Sequence, residues 1–349
     1  MRILVVAPGP NFSVSDVKRG WTRALKRLGH DVRTYNLNDR LDTFLQARWE
    51  NAESESGYTQ LTRDAAIHLA VEPLLGILHS WWPDYVVVVS GFFISDHIWE
   101  VMQARHHRVI LLCTESPYED DVQFERMMKS DACVTLINDP INLWRYRKFN
   151  KRVWYMPHAF DPEIHQPGPL VPEYECDFGF VGTGYPSRVE LFEGVDWSGL
   201  NVRLEGNWKG ISDDSSIRRF IQDDPEICMP NSEAVRFYNS TKVSANCYRA
   251  RTGTIESNDP RLSEGEAIGP REVELAASGT FFAREPRAEG DKLFPFLPTF
   301  SDSQELQDIV RHYVQHDDAR EALAIRAMAA VQDRTFDANA RRLMQLLPD

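Results

Sequence analysis

The chain has 349 residues, a formal net charge of −13 and a hydrophobic content of 42%, which fits two globular domains better than one. This acidity argues against a surface that holds nucleic acid non-specifically, although it allows one locally basic groove. The longest apolar run, YVVVVSGFFI, is too short to span a membrane, and the N-terminal apolar run is too short for a secretion signal, so we expect a cytoplasmic protein.

The first half of the chain alternates apolar runs with helical spacers. It opens with RILVVA, typical of a buried parallel strand, and a helix is predicted to follow up to a stop at Gly29. Further strands are predicted at DVRTYNL, DYVVVVSG, RVILLCTES, ACVTLIN and KRVWYMP, while residues 41–80 are mostly helical in character. This alternation predicts an α/β domain with a doubly wound parallel sheet over residues 1–160.

A proline-rich joint precedes a second unit of the same kind. Residues 157–175 contain five prolines and one glycine, which is the composition of a linker or a rigid connection. Strands are then predicted at CDFGFVG, LNVRLEG, KVSANCY and TFFARE, with helices between and after them. We predict a second α/β domain over residues 161–334 and a last amphipathic helix within residues 335–349.

The stretch GEAIGPREVELAASG, residues 265–279, predicts a short helix with an acid on either side of its start. Gly269 suits the N-cap, Pro270 the first turn and Gly279 the residue after the end. Free N–H groups at the helix start suit a phosphate, whereas the carboxylates of Glu266 and Glu274 suit paired hydroxyls of a ribose or a sugar. A nucleotide sugar offers all of these groups. The alternative is that both acids only stabilise the helix N-terminus.

This stretch resembles the Glu-x7-Glu signature of GT-B glycosyltransferases. More narrowly, GPREVELAASGTFF, the region from LFPFLPTF to AIRAM, and DRTFDANARRLMQLL resemble the CgeB-type (spore-maturation) glycosyltransferases, which have a family-4-like C-terminal half. The resemblance covers about residues 175–349 and is weaker over 1–160. It implies the GT-B fold, in which two Rossmann-like domains with doubly wound parallel sheets face each other across a cleft. It also implies that the last helix packs back across the joint.

The resemblance implies roles for the residues around the short helix. Glu274 would bind the ribose hydroxyls and Glu266 would face the sugar. The amides near Ile268, Gly269 and Pro270 would surround the sugar and the diphosphate. Arg271 departs from the small apolar residue of many relatives, and it would either touch phosphate or support the fold.

A glycine loop after a predicted strand is a second candidate for donor binding. Gly182, Thr183 and Gly184 would let the backbone approach a ligand, and the guanidinium of Arg188 would grip a diphosphate. The pattern is neither GxGxxG nor a Walker loop, so the alternative is a tight turn followed by a surface arginine.

Two further strand ends carry candidate donor-binding residues. Trp208 is predicted to stack on the base and Lys209 to reach phosphate, with a loop holding a packed tryptophan as the alternative. Arg249 follows the strand KVSANCY and is expected to open onto the cleft, because ligands gather at the carboxyl ends of parallel strands.

The first domain offers candidates for the chemistry itself. Gly9 would let a sugar or an acceptor approach the backbone, unless it marks a routine turn. Glu115, directly after a strand, is the first candidate for a general base and His97 is the second. The alternative for Glu115 is a solvated acidic loop.

No metal or cofactor is predicted from the sequence. The acidic pairs resemble turns and helix caps, and the five cysteines lack metal-ligand spacing, which predicts buried free thiols. Helix N-termini and arginines can instead stabilise a departing diphosphate.

The sequence thus predicts a metal-independent glycosyltransferase that uses a nucleotide diphosphate sugar, a UDP-sugar being favoured. Its acceptor, whether protein, glycan, small molecule or modified DNA, is open, as is its oligomeric state. The alternatives are a nucleotide-sugar epimerase or phosphorylase of the same fold, and a non-catalytic subunit that binds sugar nucleotides.

Overall fold

A computed structural model of the chain describes residues 1–7, 15–221, 229–248 and 265–348. The chain forms two compact units. Unit 1 comprises Met1–Met156 together with Asn339–Asp349, and unit 2 comprises Pro157–Ala338. Each unit is built around a parallel sheet.

The sheet of unit 1 has six parallel strands in the order β2-β1-β5-β6-β7-β8. These strands are β1 (Arg2–Val6), β2 (Asp31–Tyr35), β5 (Tyr85–Val89), β6 (Val109–Cys113), β7 (Val134–Ile137) and β8 (Val153–Tyr155). β5 and β6 are buried along their whole length, which is the pattern typical of central strands in a parallel sheet.

Helices cover this sheet, and a small hairpin interrupts them. The helices are α1 (Ser15–Arg27), α2 (Asn38–Gln46), α3 (Arg63–Val71), α4 (Leu74–Trp81), α5 (Asp96–Ala104), α6 (Asp120–Ser130) and α7 (Leu143–Arg147). The hairpin of β3 (Arg48–Glu50) and β4 (Tyr58–Gln60) lies inside the stretch predicted to be mostly helical. Its strands have three residues each, all exposed, so they carry no apolar alternation that sequence could reveal.

The C-terminal residues pack with unit 1. Helix α14 (Phe336–Leu346) brings Met344 to His30, with 3.2 Å between sulfur and ring nitrogen. The hydroxyl of Tyr85 donates a hydrogen bond of 3.1 Å to the carbonyl of Pro348. Within unit 1 the chain terminus therefore lies against β5 and the segment before β2.

The sheet of unit 2 has four parallel strands in the order β10-β9-β11-β12. These are β9 (Cys176–Val181), β10 (Val202–Glu205), β11 (Thr241–Asn246) and β12 (Phe282–Arg284). The chain moves from β9 to one side and then to the other, so the strand order reverses between β9 and β11. This is the topological switch point, outside which open α/β sheets bind ligands.

The helices of unit 2 enclose an aromatic core. They are α8 (Pro186–Glu193), α9 (Asn231–Asn239), α10 (Pro270–Ala277), α11 (Ala288–Leu293), α12 (Ser303–Val314) and α13 (Asp317–Ala330). Phe178, Phe180 and Phe192 are fully buried, with ring centroids 5.1 to 5.8 Å apart in edge-to-face pairs. The core thus fixes β9 and α8, the two elements that flank the glycine loop.

Two further findings bear on the sequence predictions. In the described ranges, no helix has the length and apolar character needed to cross a bilayer. Cys113, Cys176 and Cys247 are buried free thiols, as predicted, and burial raises the pKa of each. Cys133 is a free thiol that is only partly buried, and Cys228 lies outside the described residues.

Candidate functional site

The short helix α10 forms where the sequence predicted it. Gly269 is the N-cap in an extended conformation, Pro270 is the first helical residue, and Gly279 follows the end with φ of +72°. Pro270 suits the first turn because an N–H there would have no partner within the helix. The N–H groups of Arg271 and Glu272 in the first turn have no partner within the helix.

The two amides before the helix are engaged by the protein's own carboxylates. The N–H of Ile268 donates to Glu289 at 2.9 Å, and the N–H of Gly269 donates to Glu272 at 2.8 Å. Glu289 is itself held by Arg334, at 2.7 Å. These bonds correct the expectation that the amides of Ile268 and Gly269 face a donor. Pro270 has no N–H to offer.

Glu272 is the buried anchor of this helix start. Its carboxylate is fully buried and also accepts a hydrogen bond from the hydroxyl of Tyr248. Burial raises the pKa of Glu272 to about 7, although the bonds from Tyr248 and Gly269 oppose the shift. The pKa of Tyr248 is raised well above its usual value by burial and by the adjacent carboxylate. The pair therefore ties the end of β11 to the start of α10.

Arg188 spans the switch point. It lies in the first turn of α8 and is 6% exposed. Its guanidinium donates to the carbonyl of Thr183, after β9, at 2.9 Å and to the carbonyl of Cys247, after β11, at 2.6 Å. Arg188 is thus a buried cation at the switch point, whereas the alternative interpretation made it a surface residue.

Arg271, in the first turn of α10, also bonds to the ends of β9 and β11. Its guanidinium donates to the carbonyl of Val181 at 2.9 Å and to the side-chain oxygen of Asn246 at 3.2 Å. It also stacks over the ring of Phe180, 4.6 Å from the centroid. Two arginines therefore connect the ends of β9 and β11.

The glycine loop owes its small residues to internal packing. A Cβ on Gly182 would collide with the guanidinium of Arg271, and a Cβ on Gly184 would collide with the indole of Trp208. Thr183 contributes its carbonyl to Arg188. These glycines make room for side chains of the same unit, so close approach to a ligand is not needed to explain them.

Trp208 belongs to the core. It is 1% exposed, lies near Phe180 and Phe192, and donates its indole N–H to the carbonyl of Glu205 at 3.1 Å. A base cannot stack on a side chain so enclosed, which corrects the stacking prediction and matches the packed alternative. The neighbouring Lys209 is exposed after β10, and its contact with phosphate stays a prediction.

A cavity of about 600 Å³ opens beside the switch point, within unit 2. Two predicted donor residues, Arg188 and Glu266, line it together with Tyr248, Glu285 and Arg287. Its volume lies within the range of small-molecule sites, and its lining contains both cations and carboxylates. The structure thus brings Arg188 and Glu266 to one cavity, although they are far apart in the sequence.

Sequence reasoning missed Arg287 and Glu285. Arg287 stacks over the ring of Tyr248, 3.7 Å from its centroid, and donates to the carbonyl of Ala267 at 2.9 Å. Glu285 accepts the backbone N–H of Tyr248 at 2.6 Å. Glu285 directly follows β12 and Arg287 comes soon after it, so their place after the strand TFFAR was the signal that could have identified them.

Glu274 lies one turn inside α10 and is mostly buried. Its carboxylate is 3.9 Å from the ring nitrogen of His165, whose side chain is 4% exposed. Glu266, by contrast, is exposed. The two glutamates of the predicted motif therefore lie in different surroundings, one beside a buried imidazole and the other at the mouth of the cavity.

The candidates for the chemistry lie at strand ends of unit 1. Glu115 follows β6, is 4% exposed, and its backbone N–H donates to Gln123 at 2.9 Å. It is thus buried, in contrast to the solvated loop of the alternative interpretation. His97 is exposed in the first turn of α5. Gly9 and Arg249 lie outside the described residues.

Within the described ranges, no group of three or more His, Cys, Asp and Glu residues is placed to hold a metal ion. The structure places the guanidinium groups of Arg188 and Arg271 at the switch point.

Comparison with known proteins defines the class of fold. Residues 188–347 match a family model described as glycosyl transferase-like. The chain is similar to sucrose-phosphate synthase from Thermosynechococcus elongatus, with a TM-score of 0.67 at 12% identity over 99% of this chain and 98% of that one. No curated protein sequence shows significant similarity to the chain.

Two similar structures contain nucleotide ligands. HepE of Anabaena, in complex with UDP-glucose, has a TM-score of 0.61 at 10% identity over 99% of each chain. An α-glucosyltransferase in complex with UDP and DNA containing an HMU base has a TM-score of 0.64 at 9% identity over 99% of each chain. The protein therefore has the α/β fold of the GT-B glycosyltransferases, with two Rossmann-like units.

Proposed function

We propose that the protein is a glycosyltransferase that moves a sugar from a nucleotide diphosphate sugar to an acceptor, with the donor bound by unit 2. The observation that carries this proposal is the arrangement at the switch point. There, the buried cation of Arg188 lines a cavity that Glu266 also lines, beside the start of α10. The family match over residues 188–347 includes both residues and the whole of α10.

The charges at the switch point suit the chemistry of transfer. When the bond between the anomeric carbon and the diphosphate oxygen breaks, positive charge develops on the sugar and negative charge on the diphosphate. Arg188, Arg271 and the first-turn N–H groups of α10 would stabilise the departing diphosphate. We therefore propose that protein cations, rather than a bound metal, meet this charge.

The two glutamates would bind the donor's hydroxyls. Glu274 would accept hydrogen bonds from the ribose, and Glu266 would accept them from the sugar, because a carboxylate is an acceptor-only group that pairs well with adjacent hydroxyls. We propose a UDP-sugar as the donor, carrying a hexose or a pentose, because two similar structures are complexes with UDP or UDP-glucose. A CgeB-type enzyme is the narrower form of this proposal.

The test is titration calorimetry with UDP, GDP and TDP, followed by incubation with labelled nucleotide sugars. We expect UDP to bind and a labelled UDP-sugar to be converted to UDP and free or transferred sugar. An isomerised nucleotide sugar without UDP release would indicate an epimerase. Binding without turnover on any acceptor would indicate a non-catalytic subunit, and no nucleotide binding at all would overturn the proposal.

A further inference from the structure

The segment at residues 143–152 departs from the acidity of the rest of the chain. It reads LWRYRKFNKR and contains five Lys or Arg residues and no acid, although the formal net charge of the protein is −13. It begins with α7, which follows β7 in unit 1. A local concentration of cations in an acidic protein indicates a surface that meets a negatively charged partner.

One side of α7 is fixed in the core, and this orients the rest of the segment. Tyr146 is fully buried, and its hydroxyl donates a hydrogen bond of 2.8 Å to the carboxylate of Asp120. The side chains on the other side of the helix therefore point outward. Trp144 is 54% exposed and Phe149 is 61% exposed, which are high values for aromatic residues of a folded domain.

Phe149 is part of an apolar surface that extends onto α6. The ring of Phe149 packs against Phe124 of α6, with 4.9 Å between centroids. Met128, one helical turn after Phe124, is 51% exposed. We name the exposed residues Met128, Trp144 and Phe149, together with the cations of residues 145–152, the α7 patch.

The cations of the α7 patch lie in the same short segment as Trp144 and Phe149. The ammonium of Lys148 lies over the indole of Trp144, 4.4 Å from the ring centroid. Lys151 and Arg152 are exposed where the segment leads into β8. Arg145 pairs with an acid, Asp121 of α6, at 2.6 Å. The patch therefore combines apolar tips with positive charge in one place.

We propose that the α7 patch docks the protein onto the surface of a membrane that contains anionic lipids. Exposed Trp and Phe side chains insert at the level of the lipid headgroups, and nearby Lys and Arg are attracted by the negative surface potential. A peripheral contact of this kind requires no membrane-spanning helix. The inference does not depend on the proposed function.

The ring geometry favours lipid over nucleic acid as the occupant. Single-stranded nucleic acid binds by stacking bases on open aromatic faces. One face of Trp144 carries the ammonium of Lys148, and Phe149 is engaged with Phe124 at an interplanar angle of 75°. The outward groups are apolar edges and a flexible methionine, which suit insertion between lipid headgroups better than base stacking.

The experiment is co-sedimentation of the full-length protein with vesicles. Vesicles of phosphatidylcholine alone are compared with vesicles that also contain phosphatidylglycerol, at low and at high salt. We expect binding to the anionic vesicles that weakens with salt, since salt screens exposed charges. The double variants Trp144→Ala/Phe149→Ala and Lys148→Glu/Lys151→Glu should each reduce the partition by about tenfold or more, because insertion and attraction both contribute.

Matched controls separate the α7 patch from general properties. Trp49→Ala removes another tryptophan of similar exposure (49%), and Lys26→Glu/Arg341→Glu makes the same change in net charge at two exposed positions elsewhere in unit 1. Both controls should bind vesicles like the wild type. Circular dichroism and the thermal midpoint of each variant check that the fold is kept.

Three results would overturn the proposal. The first is absence of wild-type binding to anionic vesicles at low salt. The second is equal loss in the controls and in the α7 variants, which would indicate general electrostatics. The third is binding of labelled single-stranded or duplex DNA, but not of vesicles, through the same residues, which would assign the patch to nucleic acid.

Discussion

The carboxyl edges of the two parallel sheets differ in the buried charged groups that connect their strand ends. In unit 2 the guanidinium groups of Arg188 and Arg271 connect the ends of β9 and β11, next to a cavity. In unit 1 the buried charged groups after β6 and β7 are carboxylates, among them Glu115, Asp120 and Asp139. A buried cation beside a cavity prepares a site for an anion, whereas buried carboxylates bonded to neutral groups stabilise a loop.

Asp120 illustrates the second arrangement. Its carboxylate accepts hydrogen bonds from Ser116 at 3.1 Å, from Asn142 at 2.5 Å and from Tyr146 at 2.8 Å. All three donors are neutral, and burial raises the pKa of Asp120. The comparison teaches that polar groups at the end of a parallel sheet have to be judged by their partners. A position at a strand end does not by itself distinguish a ligand-binding residue from one that stabilises a loop.

The largest expected effect is the loss of stability when the carboxylate of Asp120 is removed. Asp120→Ala removes the buried carboxylate to which Ser116, Asn142 and Tyr146 donate, and it leaves the Tyr146 hydroxyl only the backbone carbonyl of residue 120, so we expect the free energy of unfolding to fall by about 3 to 4 kcal/mol. Urea denaturation measures this change. Nucleotide affinity, measured on the variant under native conditions, should stay at the wild-type value. A stable variant that loses nucleotide binding would reverse the roles assigned to the two sheet edges.

The second prediction concerns Glu272 and pH. Its folded pKa of about 7 lies above the usual value of 4.5 because of burial, so the folded state holds the proton more tightly than the unfolded state. Below the unfolded pKa the carboxyl is protonated in both states, so it does not lower the free energy of unfolding. As pH rises toward the folded pKa, the unfolded state loses its proton first and the free energy of unfolding falls. Relative to Glu272→Gln, the wild type should lose about 3 kcal/mol of stability between about pH 4 and pH 8.

Denaturation of the wild type and of Glu272→Gln across this pH range measures the difference, which cancels the titration of other acids. An unchanged difference at both ends of the range would show that Glu272 titrates normally in the folded state.

The third prediction tests whether Arg188 binds the diphosphate of the donor. Arg188→Met should weaken binding of UDP by about 2 kcal/mol, because it removes the buried charge that would meet the diphosphate. Arg188→Lys, which keeps a cation but not the fork of donors, should lose less. Calorimetry gives both values. Arg311→Met is the control, since Arg311 pairs with Asp196 on the surface and is not in the cavity lining.

Because Arg188 also bonds two carbonyls, its variants could lose affinity through local unfolding. Their thermal midpoints are therefore compared with and without UDP. A folded Arg188→Met protein that binds UDP as tightly as the wild type would show that Arg188 does not bind the diphosphate.

The smallest effects separate the two glutamates. Glu274→Ala should weaken UDP and a UDP-sugar alike, by about 1 to 2 kcal/mol, because it removes an acceptor for the ribose hydroxyls. Glu266→Ala should weaken only the UDP-sugar, because Glu266 is assigned to the sugar. Identical affinities in all three proteins would mean that these acids only stabilise the start of α10.

The parts of this site that depend on local chain geometry could be predicted from sequence. Gly269, Pro270 and Gly279 set the ends of α10 because each has a local conformational preference. The burial of Trp208 could not be predicted from sequence, because the indole occupies space that a Cβ on Gly184 would fill, and Gly184 is distant in sequence. The anchor at Glu272 was missed for the same reason, because its partner Tyr248 comes from another element.

Chain connectivity has a practical consequence for dissecting the protein. Unit 1 is assembled from both ends of the polypeptide, whereas unit 2 is one uninterrupted insertion, Pro157–Ala338. A fragment of unit 2 can therefore be encoded by a single open reading frame. Isolating unit 1 requires a designed linker that rejoins Met156 to Asn339, and simple truncation before the last helix would strip unit 1 of a segment that belongs to it.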